Sequence, residues 1–159
     1  MEVRIIDFPE TKVAVIEHRG PPALKHESIK KLIAWRIENR LPPDRHRSYG
    51  IYYSDPWTVP PEEYRVDFCV SVAADVPPNG YGIIPKVIPA CRCATVRHLG
   101  SREKITAATC LCEDWLPESG ESPGGFPVFI HYVNVGPDIR EDQMISDVYL
   151  PLAPAGHGK

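Results

Sequence analysis

The chain has no surplus of positive charge: 18 Lys and Arg stand against 21 Asp and Glu in 159 residues, a net charge of −3. No basic field exists to hold a phosphate backbone, so direct nucleic-acid binding is not expected. No apolar run approaches the ~20 residues of a membrane helix, so no membrane contact is expected. The opening residues, MEVRIIDFPETK, lack the basic n-region and apolar core of a signal peptide. Five cysteines, an odd number, suit reduced thiols in the cytoplasm better than a disulfide framework. There is no G-x-x-x-x-G-K-[ST], G-x-G-x-x-G or G-x-S-x-G motif, so no phosphate loop, dinucleotide fingerprint or nucleophile elbow is present, and no cofactor is expected.

What is present is globular: 43% apolar and 25% charged residues, in a length that suits one ordinary domain or two small modules sharing a core. Proline is abundant, 18 of 159, about twice the usual share of about 5%. Together with 11 glycines it falls short of low complexity, so the prolines act as punctuation between elements.

The β-branched run at residues 13–18 (VAVIEH) ends at the turn signal Arg19-Gly20-Pro21-Pro22 and predicts a strand. Leu24, Ile29, Leu32, Ile33 and Ile37 recur at helical spacing until Pro42-Pro43, predicting a helix over 23–40. Residues 49–54 and 64–72 predict two more strands, the latter alternating cleanly, and residues 1–8 a strand at the start.

Shifting the sequence by 80 superposes Ala14, His18, Gly20, Trp35, Glu38, Pro43, Tyr52 and Asp67 on Ala94, His98, Gly100, Trp115, Glu118, Pro123, Tyr132 and Asp147 without a gap. A tryptophan pair on the same helix position and a His-x-Gly closing the same strand mark an internal duplication. The second copy then reads as strand 91–98, helix 102–115, and strands 128–133 and 145–152. The expected fold is α+β: repeats at 1–76 and 81–152, each β-α-β-β, forming an antiparallel sheet with two helices about a pseudo-twofold axis and a central ligand cleft. Residues 55–63 and 136–143 would be matching loops at its rim, and 153–159 a disordered tail.

Asp147 is the sharpest candidate for chemistry. Strand alternation puts Val148, Leu150 and Leu152 on one face and Asp147, Tyr149 and Pro151 on the other. If the aliphatic face meets the helices, Asp147 and Tyr149 look into the groove. A carboxylate beside aromatic rings suits a cation; with a pKa raised by burial it suits general acid or base work. The plain alternative is a solvent-facing strand aspartate paired with an arginine. Asp67 occupies the same place in the first copy. Tyr52, Tyr132 and Trp57 join the candidate lining, Trp57 as a flap because a large aromatic inside a proline loop has no evident core to fill. Trp115 lies on a helix, and His131 faces either groove or core. His18 and His98 read as structural. Cys91-x-Cys93 and Cys110-x-Cys112 are not expected to hold zinc, because neither spacing matches C-x₂₋₄-C on a turn; they read as small buried hydrophobes.

Tyr52-Tyr53-Ser54-Asp55-Pro56, Thr58-Val59-Pro60-Pro61-Glu62-Glu63-Tyr64-Arg65-Val66-Asp67, Asp114-Trp115-Leu116-Pro117-Glu118-Ser119-Gly120 and Asp147-Val148-Tyr149-Leu150-Pro151-Leu152 together resemble the GyrI-like small-molecule-binding superfamily. The resemblance covers residues 2–152 in the family's order. It implies tandem strand-helix-strand-strand modules around a cleft that receives hydrophobic, often cationic, aromatic compounds, with an acidic residue on the last strand at the pocket floor. That residue is usually Glu and is here Asp147, one methylene shorter. Val135-Gly136-Pro137 stands where the family tends to have N-D-P. The resemblance implies a stand-alone binder of a drug or toxin, with Asp147, Tyr149, Trp57, Tyr52, Trp115, Tyr132 and His131 as lining. Its alternatives are a hydrolase of cyclopropane-bearing DNA-alkylating toxins, with Asp147 guiding water, and an inhibitor of DNA gyrase. Expected partners are a hydrophobic small molecule and either DNA gyrase or a separate DNA-binding regulator.

Overall fold

A computed structural model describes residues 2–42, 45–54, 59–102, 106–135 and 138–154. In chain order the elements are β1 (Arg4–Phe8), β2 (Thr11–Arg19), α1 (Lys25–Glu38), β3 (Ser48–Tyr52), β4 (Arg65–Ser71), β5 (Ile84–Ile88), β6 (Cys91–Leu99), a helix α2 over residues 106–119, β7 (Phe129–Tyr132) and β8 (Ile145–Pro151). The strand pairings among the described residues are antiparallel, and the α+β class read from the sequence is the observed one.

The chain divides into two compact units, Thr11–Ile88 and Met1–Glu10 with Pro89–Lys159. In the first, β4 lies between β3 and β2, and β5 pairs with the other side of β2. Alternation sends Ala14, Ile16, Val66, Phe68 and Val70 to one face, where Leu32 and Trp35 of α1 close the core. In the second, β8 lies between β6 and β7, and β1 pairs with the other side of β6.

The edge strands are exchanged with respect to chain order. β1 immediately precedes β2 yet pairs with β6, and β5 immediately precedes β6 yet pairs with β2. β5 was not expected from the sequence, because it is short and contains Pro85, which is tolerated at an edge. Its kinship is visible all the same: the 80-residue shift that aligns the halves carries β1 onto 84–88, and the two strands share one burial pattern.

β2 and β6 each run into a glycine that no other residue replaces without strain. Gly20 has φ 120° and Gly100 φ 114°, a region open to glycine alone among common residues. The histidines two residues earlier fasten the turn: His18 Nδ1 lies 2.9 Å from Ser28 Oγ and its Nε2 3.0 Å from the Pro21 carbonyl, and His98 Nε2 lies 3.1 Å from the Ser101 carbonyl.

The helices differ. α1 is regular, whereas α2 passes from Thr106–Thr109 through a π-helical stretch, Cys110–Trp115, into Leu116–Ser119. The Leu116 amide donates to the Leu111 carbonyl, five residues back. Pro117 explains the widened register: it has no N–H for a carbonyl four residues earlier, and its ring crowds that carbonyl. The helix ends at Gly120 with φ 77°. Among the described residues, no helix is long and apolar enough to cross a membrane.

Candidate functional site

The two repeat-related aspartates sit in different surroundings. Asp67 of β4 is wholly buried. Lys86 Nζ donates to its Oδ2 at 2.7 Å and the Tyr53 hydroxyl to the same atom at 2.9 Å. Arg19 Nη1 lies 3.1 Å from Oδ1, a charge contact without hydrogen-bond alignment. Glu17 completes the cluster, its Oε2 2.8 Å from Lys86 Nζ and 3.1 Å from Arg19 Nη2. The Tyr53 ring lies 5.1 Å from the Arg65 guanidinium and 5.6 Å from Arg19 and from Lys86, within cation–π range. The Lys86 hydrogen bond holds the Glu17 carboxyl below its ordinary value against the opposing effect of burial, with Arg19 and Arg65 adding to it. Burial opposes the charge on Lys86, but its hydrogen bonds to Asp67 and Glu17 outweigh that and raise its pKa. Burial, then the Asp67 charge, raises the Tyr53 phenol.

Asp147 of β8 sits at the same register position in the second unit. Arg97 of β6 faces it across the ladder and grips it with both arms of the guanidinium, Nε to Oδ1 at 2.8 Å and Nη2 to Oδ2 at 3.0 Å. This pair raises the Arg97 pKa. The counterparts of the first unit's cluster are gone: position 97 carries Arg where 17 carries Glu, Ile6 replaces Lys86, Leu99 replaces Arg19, and Val133 replaces Tyr53. Where Lys86 would reach in, the second unit has a cavity of about 630 Å³, lined by Ile6, Arg97, Asp147 and Tyr149 on the sheet, Glu2 and Arg4 at the chain start, and Ala107 and Cys110 of α2. β1 covers β6 only as far as Thr95, and the cavity lies at the edge it leaves open. The volume is within the range of small-molecule sites.

Tyr149 is held from behind. Its ring stacks on Phe129 at 5.0 Å and 11°, and Phe8 meets both rings edge-on at 5.3 and 4.9 Å. Phe8 and Phe129 are buried, so the half-exposed Tyr149 presents a fixed surface to the cavity.

Of the residues expected at the site, Asp147 and Tyr149 share the cavity wall, and His131 is Asp147's neighbour across β7. Tyr132 is one residue out of phase with His131 and takes the Arg102 guanidinium over its ring at 5.1 Å. Trp115 is half-buried on α2. Tyr52 pairs with Val66 and packs against the helix-side core of the first unit; Tyr53, one position on, reaches Asp67. Trp57 lies outside the described residues. Arg97, Arg4 and Glu2 were not singled out from sequence, although Arg97 is the 80-residue counterpart of Glu17 and a facing charge was recoverable from the repeat. Among the described residues no group of three or more His, Cys, Asp or Glu is placed to hold a metal.

Two units of antiparallel strands, each carrying a helix, with a small-molecule-sized cavity in the second, fit a small-molecule-binding domain. The chain belongs to the GyrI-like small molecule binding domain family, whose pattern matches residues 1–153. It is 37% identical over 155 residues to an Escherichia coli K12 protein named "Probable transcriptional regulator YgiV", covering 96% of this chain and 97% of that one. It is 28% identical over 159 residues to a "DNA gyrase inhibitor" of Erwinia billingiae, covering 98% and 99%. The C-terminal domain of EcmrR has the same fold, with a TM-score of 0.75 at 18% identity and coverage of 96% and 97%.

Proposed function

We propose that this protein binds hydrophobic aromatic cations, taken into the cavity of the second unit with the positive centre on Asp147 and an aromatic face on Tyr149. The observation that carries this reading is the wall they share: a carboxylate and a braced ring line one cavity, and the carboxylate's partner is an arginine whose side chain is 56% exposed. An incoming cation displaces Arg97 into water, where its charge is solvated at little cost. In exchange the ligand's charge gains Asp147 and its apolar body leaves water. The first unit illustrates the seat, with Lys86 held between two carboxylates beside the Tyr53 ring.

Fluorescence titration with rhodamine 6G and a neutral polycyclic dye of similar size tests this. Asp147→Asn should weaken the cation by at least about tenfold, about 1.4 kcal/mol, and leave the neutral dye unchanged, whereas Arg97→Ala should tighten the cation. Equal losses for both dyes would remove the carboxylate from the account. DNA gyrase, or a separate DNA-binding regulator, enters the same proposal as the partner addressed in the loaded state. A supercoiling assay with and without dye tests the first of these.

A further inference from the structure

Cys91 and Cys93 stand two apart on β6, their Sγ atoms 3.4 Å from each other. Cys91 is half-buried and reachable, while Cys93 is fully buried. The fold does not need these thiols: the 80-residue counterparts on β2 are Thr11 and Val13, which pair with β5 as Cys91 and Cys93 pair with β1.

The separation selects what can bridge them. A disulfide would require closure from 3.4 Å to about 2.05 Å between residues whose Cα atoms, two extended steps apart, stand about 6.6 Å from each other, at the outer limit of disulfide geometry. A linear two-coordinate soft ion with bonds of about 2.3 Å would need its sulfurs about 4.6 Å apart. A tetrahedral zinc needs two further ligands, and the described residues offer no such group. An atom with two bonds of about 2.3 Å and an angle near 95° spans 3.4 Å without moving the strand. That is a pyramidal trivalent centre whose third bond is its own.

We propose that Cys91 and Cys93 form a chelating dithiol site for monosubstituted trivalent arsenicals, R–As. Bridging is a condensation without oxidation: R–As=O and two thiols give R–As(S–Cys)₂ and one water, the two thiol protons leaving with the oxygen. Burial raises the pKa of both thiols, which slows chemistry that needs a free thiolate; condensation releases its protons as water. Cys91 forms the first bond, and Cys93 closes the chelate at high effective concentration.

Phenylarsine oxide is the probe, with native protein and intact-mass readout. The expected product is a 1:1 adduct formed with loss of one water, which survives about a hundredfold excess of glutathione because the second bond is intramolecular and is released by 2,3-dimercaptopropanol. Cys91→Thr and Cys93→Val, the residues the other unit carries, should each make the adduct glutathione-labile while thermal melts confirm folding. Cys110→Ser/Cys112→Ser should retain it. An adduct retained in the Cys91→Thr/Cys93→Val double variant, or a wild-type adduct stripped by glutathione, would overturn the proposal.

Discussion

Asp67 and Asp147 stand 80 residues apart at the same register position of β4 and β8 in their own units, yet one is sealed and the other lines a cavity. The difference rests on four neighbours. Glu17, Arg19, Tyr53 and Lys86 surround Asp67, and the second unit has Arg97, Leu99, Val133 and Ile6 in their places. A carboxylate with no exposed surface must be neutralised from within, and Lys86 does so at 2.7 Å. Once that lysine becomes isoleucine, the charge is met by a flexible arginine from the adjacent strand and space opens beside it. The two units thus carry one aspartate sealed in an ion cluster and one paired with a half-exposed arginine on a cavity wall.

The largest effect should come from the sealed copy. Asp67→Ala leaves Lys86 and Arg19 facing a buried gap and should cost about 3–5 kcal/mol in urea unfolding; a loss below about 1 kcal/mol would mean the cluster is not acting as a buried ion pair. Gly20→Ala and Gly100→Ala should each lower stability by about 1–3 kcal/mol through backbone strain, measured as paired melting curves, and a large inequality between them would show that the units do not share this turn. Asp147→Asn should change stability by no more than about 1 kcal/mol, since its arginine is half in water, while abolishing preference for cationic dyes.

The smallest effect is in acid. The Glu17 pKa is lowered in the fold, so its contribution is present above the ordinary carboxylate range and is lost as the pH falls through the lowered value. Glu17→Gln should flatten the acid limb of the stability curve, followed by urea midpoints between pH 3 and 6. An unchanged limb would show that the pair with Lys86 contributes nothing net.

Much of this was legible beforehand for definite reasons. Alternation in 64–72 set the faces of β4, with Val66, Phe68 and Val70 against α1, and in 145–152 it separated the buried Val148 and Leu150 from the half-buried Asp147 and Tyr149. Asp147 pairs with an arginine, as the plain alternative had it, and it also lines a cavity. Tyr52 against Tyr53 was not decidable in the same way. β3 ends at Tyr52, opposite Val66, and only that register shows that the next tyrosine turns toward Asp67. The same holds for Tyr132 beside His131, where one step along a strand reverses the face.

The sequence by itself determined the α+β class, the alternation of β4 and β8, and the glycines and histidines that close the two turns, because these are local properties of residue type and spacing. The tertiary structure alone decided which edge each short strand took, which aspartate was buried, and that Arg97 would grip Asp147. β1 and β5 are each compatible with β2 and β6, since both present similar unpaired ladders. The pairing that forms, β1 with β6 and β5 with β2, joins segments about 80 residues apart and is therefore not a local property of either.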